Sequence, residues 1–193
     1  MWLSGESQPP QCDPVFERLQ QSGLLTPETV WARLKLAMDK GNVSLAQWLG
    51  RRLPAADQKL LTHWLDLHRN PKRLSSVAGW IDTEPTRDIL LHATSRLTQQ
   101  DVGRAWAAWQ QLRNQYAFTP DQIGTIEYEM TLRAAQTGHK LSRELLSQLD
   151  NERVDEKLFH ERVVLALRER DWDSLLQWTT GIPPTADGVR GPW

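Results

Sequence analysis

The chain contains a single cysteine, Cys12, in 193 residues. It cannot form a disulfide within the chain, so a disulfide-stapled scaffold and a cysteine-cluster metal site are both excluded, and composition leaves the redox compartment undecided. An excess of charge of one sign is also lacking, since 23 Lys and Arg oppose 24 Asp and Glu for a net charge of −1. No field of one sign would draw in DNA, RNA or an anionic bilayer, and nucleic acid is not expected as a partner. Long apolar runs are missing. Nothing approaches the roughly 18 residues that a spanning helix needs, so no membrane insertion is expected and the sequence reads as soluble. The opening Met1-Trp2-Leu3-Ser4-Gly5 has no basic stretch followed by an apolar region of about 7–15 residues, so it does not read as a secretory signal. Sustained period-two alternation is absent as well, and no strand is expected.

Tryptophan, by contrast, is abundant: there are ten, and Trp31, Trp48, Trp64 and Trp80 recur at gaps of 17, 16 and 16 residues, about once per expected helix. A large aromatic returning at that interval suggests helices stacked and anchored alike, as in a repeat scaffold. A catalytic pocket needs a few unlike groups converging on one point, whereas this pattern spreads like groups along an axis. At this length a substantial core can form, since a domain of about 150 residues hides roughly 70% of its unfolded surface.

Helix punctuation is dense. Asp13-Pro14 and Thr26-Pro27-Glu28 each set a capping side chain before a proline at the first helical position. Val30, Trp31, Leu34, Ala37 and Met38 then follow at spacings of three and four and stop at Gly41-Asn42. Leu45, Trp48, Leu49 and Leu53 line a second helix ending before Pro54, so two antiparallel helices with a two-residue joint make a hairpin. The same grammar returns in Met130, Ala134, Thr137-Gly138, Leu141, Leu145 and Leu149. It returns again in Leu158, Phe159, Val163, Ala166 and Leu167, broken at Arg170-Asp171 and continued by Leu175, Leu176 and Trp178 up to Ile182-Pro183. Between these hairpins, helices are expected near 56–69, 71–80, 86–97 and 98–116. The expected fold class is all-α, a superhelical stack of helical hairpins (an α-solenoid or α-toroid segment), with 1–193 as a single segment. Both ends read as cut: Trp2 has no evident partner element, and Gly181-Ile182-Pro183-Pro184 through Gly191-Pro192-Trp193 reads as a loop leading nowhere. A piece of a longer chain is expected, because solenoids normally close with polar caps.

Chemistry-bearing motifs are scarce. His160-Glu161 begins like a zinc-protease helix, but Val164 stands where the second histidine would be, and His63 and His68 are five apart and off one face, so no metal is expected. Serine elbows and glycine-rich phosphate loops do not occur, and no cofactor is expected. Glu161 is the one carboxylate whose neighbours, Leu158, Val164 and Leu165, could raise its pKa as a glycosidase acid requires, yet beside Arg162 and Arg168 it reads first as half of a solvated ion pair. Glu127 and Glu129 fall on different helical faces. Trp106 and Trp109, three apart on one face, are the best candidates for an exposed sugar-stacking platform, against the plainer reading that they wedge between helices. Arg51-Arg52 and the stretch from Arg69 to Arg73 read as solvated basic spots.

The run Arg33-Leu34-Lys35-Leu36-Ala37-Met38-Asp39-Lys40-Gly41-Asn42, the closing Leu53-Pro54-Ala55, and Glu161-Arg162-Val163 through Ala166-Leu167, Asp171, Leu175, Trp178 and Pro183 carry a resemblance. Together with Trp2-Leu3-Ser4-Gly5, Ser7-Gln8-Pro9 and Cys12-Asp13 they are similar to the N-terminal superhelical region of the soluble lytic murein transglycosylases. The similarity is firmest over 1–58 and 153–183 and weak from about 85 to 150. It implies a periplasmic setting and a parent enzyme that cleaves the β-1,4 bond between N-acetylmuramic acid and N-acetylglucosamine, leaving a 1,6-anhydro end. In the family one glutamate serves as acid and then as base, so no water is consumed. That glutamate sits in a lysozyme-like domain marked by Glu-Ser, Gly-Leu-Met-Gln and Ala-Tyr-Asn. Here Glu6-Ser7 is an isolated dipeptide with neither later motif after it, so no catalytic residue is carried over. The implied role is a supporting scaffold, with peptidoglycan glycan strands as partner through the parent enzyme. The resemblance also makes a disulfide between Cys12 and a cysteine upstream of Met1 plausible. The rival reading is a tetratricopeptide-like adaptor for a peptide, opposed by the absence of a regular 34-residue period.

Overall fold

The computed structural model describes residues 2–77, 79–149 and 154–179. Among them every regular element is helical. In order these are α1 (Asp13–Gln21), α2 (Pro27–Asp39), α3 (Val43–Gly50), α4 (Ala55–Arg69), α5 (Glu84–Gln100), α6 (Val102–Gln115), α7 (Pro120–Gln136), α8 (Ser142–Gln148), α9 (Glu156–Glu169) and α10 (Trp172–Thr179), with 3-10 turns at Pro10–Cys12 and Pro71–Ser76. The all-α class expected from the sequence is the class observed. The chain forms two compact units, one reaching Gln122 and the other starting at Ile123. The stretch from Gly181 to Trp193, which the sequence reads as a loop, lies outside the described residues.

Local chemistry sets the helix ends. Thr26 caps α2 by accepting the Thr29 amide at 3.3 Å, with Pro27 first in the helix. The helix closes at Gly41, whose φ of 71° frees the Asn42 amide to bond the Ala37 carbonyl at 2.7 Å while the Gly41 amide bonds that of Met38. The Asn42 side chain then accepts the Leu45 amide and opens α3, so this one junction stops one helix and starts the next. The α9–α10 junction repeats the geometry with Arg170 in the left-handed conformation at φ 55°, a placement that costs a non-glycine residue about 1 kcal/mol. There Asp171 takes the capping role, accepting the Ser174 amide at 3.0 Å.

Four sequence expectations need correction. The helix expected over 71–80 is only the 3-10 turn Pro71–Ser76, because Ser75 and Ser76 turn their hydroxyls back on the Lys72 and Arg73 carbonyls and Gly79 takes φ 88°. Trp80 therefore lies in a loop, and the one-tryptophan-per-helix series ends at Trp64. The break expected after residue 97 falls at Asp101, which accepts the Arg104 amide and caps α6. Asp13 is the first residue of α1 rather than its cap, since the preceding 3-10 turn runs straight into the helix. Trp2 does have a partner: it is buried, edge-on to Phe16 with ring centroids 5.1 Å apart.

In the first unit the core holds Trp31 against Trp64, centroids 5.6 Å apart, among Leu34, Leu49, Ile89 and Leu90. Trp109 packs on Phe118. In the second unit Leu146, Leu149, Leu158 and Leu165 form the core, with Tyr128, Leu132 and Trp178 packed against it.

Candidate functional site

The sequence-derived candidates do not converge. Trp106 is 8% exposed and Trp109 fully buried, so of the two readings the plainer one holds, and both belong to the core around the α5–α6 hairpin rather than to a stacking platform. Their three-residue spacing places them on one face, but that face turns inward. Glu161 is half-buried and lines a cavity of about 10 Å³ with Ala135, Ser142, Leu146, Val164, Leu165 and Arg168. That space holds at most one water. No sugar ring fits, and a glycosidase acid must lie beside the bond it protonates. Glu127 and Glu129 are half-buried on α7; two residues apart they diverge, and the Glu129 Oε2 is buried without a hydrogen-bond partner.

Three of the five histidines, His63, His139 and His160, are likewise dispersed. His160 is exposed, and His63 lies against Trp80 with centroids 5.0 Å apart. His139 accepts the Leu141 amide. Among the described residues no three His, Cys, Asp or Glu side chains gather as a metal site would require. No described helix is long and apolar enough to cross a membrane. The basic spots are partly spoken for: Arg52 lies over the Trp48 ring at 3.5 Å, and Arg73 Nη1 bridges both Asp66 oxygens. Cys12 is half-buried at the start of α1.

Two arginines to which sequence reasoning gave no buried role carry more structure than any of these. Arg33 on α2 is 1% exposed and donates from Nε to the Ser4 carbonyl at 3.2 Å and from Nη2 to that of Glu6 at 3.4 Å. Its guanidinium lies 4.4 Å from the Trp2 centroid and 5.1 Å from that of Phe16. Burial, and after it the charge of Arg52, lowers the Arg33 pKa from the usual arginine value. In the second unit Arg162, 3% exposed, donates to the Leu146 carbonyl at 3.1 and 2.8 Å and to that of Leu149 at 2.9 Å, and stacks on Trp178. Those carbonyls are orphans of the last turn of α8, so a cation there satisfies both hydrogen bonding and the helix dipole. The solvated Glu161–Arg162 pair read from the sequence is therefore not what forms, because Arg162 turns into the core. Both arginines fix chain segments; neither faces a substrate-sized space in this geometry.

No family model matches the chain. Individual proteins do. Over 190 residues, 96% of the chain, it is 27% identical to the soluble lytic murein transglycosylase of Escherichia coli K12, covering 29% of that protein. Over 106 residues it is 31% identical to the enzyme of the same name from Salmonella typhimurium, covering 16% of it. Its fold superposes with TM-score 0.81 on an inactive mutant of lytic transglycosylase Slt from Pseudomonas aeruginosa, at 32% identity over 94% of this chain and 30% of that one. The chain is homologous to the soluble lytic murein transglycosylases. The structure of the 70-kDa soluble lytic transglycosylase of E. coli matches with TM-score 0.73 at 26% identity, again over 94% of the chain. A 70-kDa soluble lytic transglycosylase in complex with bulgecin A matches with TM-score 0.72 at 26% identity. The chain spans about three-tenths of the length of these lytic transglycosylases.

Proposed function

We propose that these 193 residues are a scaffold segment of a soluble lytic murein transglycosylase, one continuous superhelical stack that is itself catalytically silent. The supporting observation is the match over 94–96% of the chain to about three-tenths of such enzymes. The buried placement of Trp106 and Trp109 and the water-sized space at Glu161 agree with it. On this reading the parent enzyme is periplasmic and cleaves the β-1,4 bond between N-acetylmuramic acid and N-acetylglucosamine to 1,6-anhydro products. Peptidoglycan strands are met through the parent, and the segment holds its catalytic part in place.

The test has two arms. Purified chain incubated with murein sacculi is expected to release no anhydromuropeptides by chromatography and mass spectrometry. A chimera with this chain in place of the matching part of the E. coli relative is expected to release them. Release by the chain alone, or a folded chimera without activity, overturns the proposal.

A further inference from the structure

Three helices of the first unit meet at a pair of histidines that the scaffold reading does not use. His68 near the end of α4 and His92 in the middle of α5 face each other with His68 Nδ1 3.0 Å from His92 Nε2. The ring centroids are 5.3 Å apart with planes 19° from parallel. The centroid separation exceeds the nitrogen contact by about two ring radii, so the rings meet edge to edge, in the geometry of an in-plane hydrogen bond. On the far side of His92, Nδ1 lies 3.6 Å from Oδ1 of Asp39, the last residue of α2. The His92 side chain is 9% exposed and its ring packs edge-on to the buried Trp64.

A hydrogen bond between two imidazole nitrogens needs one N–H and one lone pair. The pair can hold that bond with no extra proton or with one, because an imidazolium can donate to a neutral ring. A second extra proton puts two N–H donors nose to nose and two positive charges in contact, and the bond cannot survive. The charged surroundings decide which ring takes the first proton. Asp39 of α2 faces His92 alone. His68 faces cations, Arg69 on its own helix and Arg96 on α5, whose Nε donates to the His68 carbonyl at 3.0 Å. Lys35 of α2 is engaged with Asp88 of α5, and Arg73 of the neighbouring 3-10 turn with Asp66.

We propose that His68 and His92 form a one-proton couple, the proton held on His92 by Asp39, and that a second proton opens the joint between α4 and α5. The scaffold thereby carries a pH-sensitive joint inside its first unit. In agreement with the geometry, burial, then Arg96, His92 and Arg69, hold the His68 ring down at about 4. The joint therefore stays closed through neutral and mildly acid conditions and opens only as pH falls toward that value.

The test follows ring protonation in the intact chain by long-range proton–nitrogen NMR between pH 8 and 3.5. The His68 ring is expected to stay uncharged down to about pH 4, with tryptophan fluorescence changing in the same step. In His92→Gln the His68 midpoint should rise toward the ordinary histidine value. In Asp39→Asn, a surface change whose fold is checked by circular dichroism, the correlations should show the N–H on His92 Nδ1 less populated than in the parent chain. The proposal is overturned if His68 of the unaltered chain is protonated near its ordinary value of 6.5 or without an accompanying fluorescence change, results that need no variant, or if Asp39→Asn leaves the N–H distribution on His92 unchanged.

Discussion

Replacing Gly5 with alanine tests how the N-terminal strap is held. Gly5 lies so close to α2 that an ideal Cβ would stand 2.3 Å from the Leu36 carbonyl oxygen and 2.9 Å from Lys40 Cγ. The nearer obstacle is helix backbone and cannot swing away, so the strap must lift. Lifting exposes Trp2, worth about 3 kcal/mol as a buried large side chain. It also removes the Ser4 and Glu6 carbonyls from Arg33, about 1.5 kcal/mol for each bond to a charged donor. The longer Asn42 contact to the Gly5 carbonyl at 3.4 Å goes with them, while the exposed Lys40–Glu6 pair contributes little. Freeing residues 2–6 returns about 1 kcal/mol of chain entropy per residue. The net expectation is a loss of about 1–3 kcal/mol, read as a lower urea midpoint by tryptophan fluorescence. Arg33→Met supplies the control. Its cost should be smaller in the Gly5→Ala background than in the parent chain, because the acceptors it removes from use are already gone. A Gly5→Ala chain within 0.5 kcal/mol of the parent, or equal costs of Arg33→Met in both backgrounds, refutes the reasoning.

Two further outcomes follow from local geometry. At Gly50 an added Cβ would fall 2.1 Å from Leu61 Cδ2, a side-chain tip, so Gly50→Ala should cost about 1–3 kcal/mol by thermal denaturation and next to nothing when Leu61 is already alanine; equal costs in both chains would contradict the overpacking account. The Asp171 carboxyl is held at about 2 first by the Ser174 amide, then by Arg143 and the Ser174 hydroxyl. Because its folded pKa is depressed, its contribution is present above the ordinary value of 3.8 and lost as pH falls toward 2. Carboxyl carbon NMR should show Arg143→Met raising the midpoint only part of the way to 3.8, and a full return would show that the backbone amide is not the leading cause.

How much of this was legible depends on whether a feature is written in neighbouring residues. The hairpin joints at Gly41-Asn42, Thr137-Gly138 and Arg170-Asp171 are readable because one residue takes positive φ and, at the first and last, the next helix starts at once, so local chemistry determines them. The stretch 71–80 departs from the helix expected there because back-bonding serines and a positive-φ glycine turn it into a short 3-10 turn. Trp106 and Trp109 show the limit of periodicity: spacing places two side chains on one face but does not say whether that face meets water or a neighbouring helix. Arg33 and Arg162 were invisible for a different reason. Their partners lie 27–29 and 13–16 residues away and are backbone carbonyls, which carry no sequence signature.

The two arginines also explain how segments with irregular backbone stay attached. The strap of residues 2–6 and the end of the short helix α8 each turn backbone carbonyls inward, and burying such groups unpaired is costly. A leucine at position 33 or 162 would add apolar area and leave the carbonyls stranded. A guanidinium answers several at once, because its donors are fixed in one plane, and the flat face left over can lie on an indole. Trp2 at the strap and Trp178 at the last hairpin supply that indole. Tryptophan is thus used in two ways. Trp31, Trp64 and Trp109 fill space between helices, whereas Trp2 and Trp178 cover an arginine that ties down an irregular segment. Both uses follow from indole's large apolar area, and neither requires a ligand, which is why an abundance of tryptophan in this chain signals architecture before it signals sugar binding.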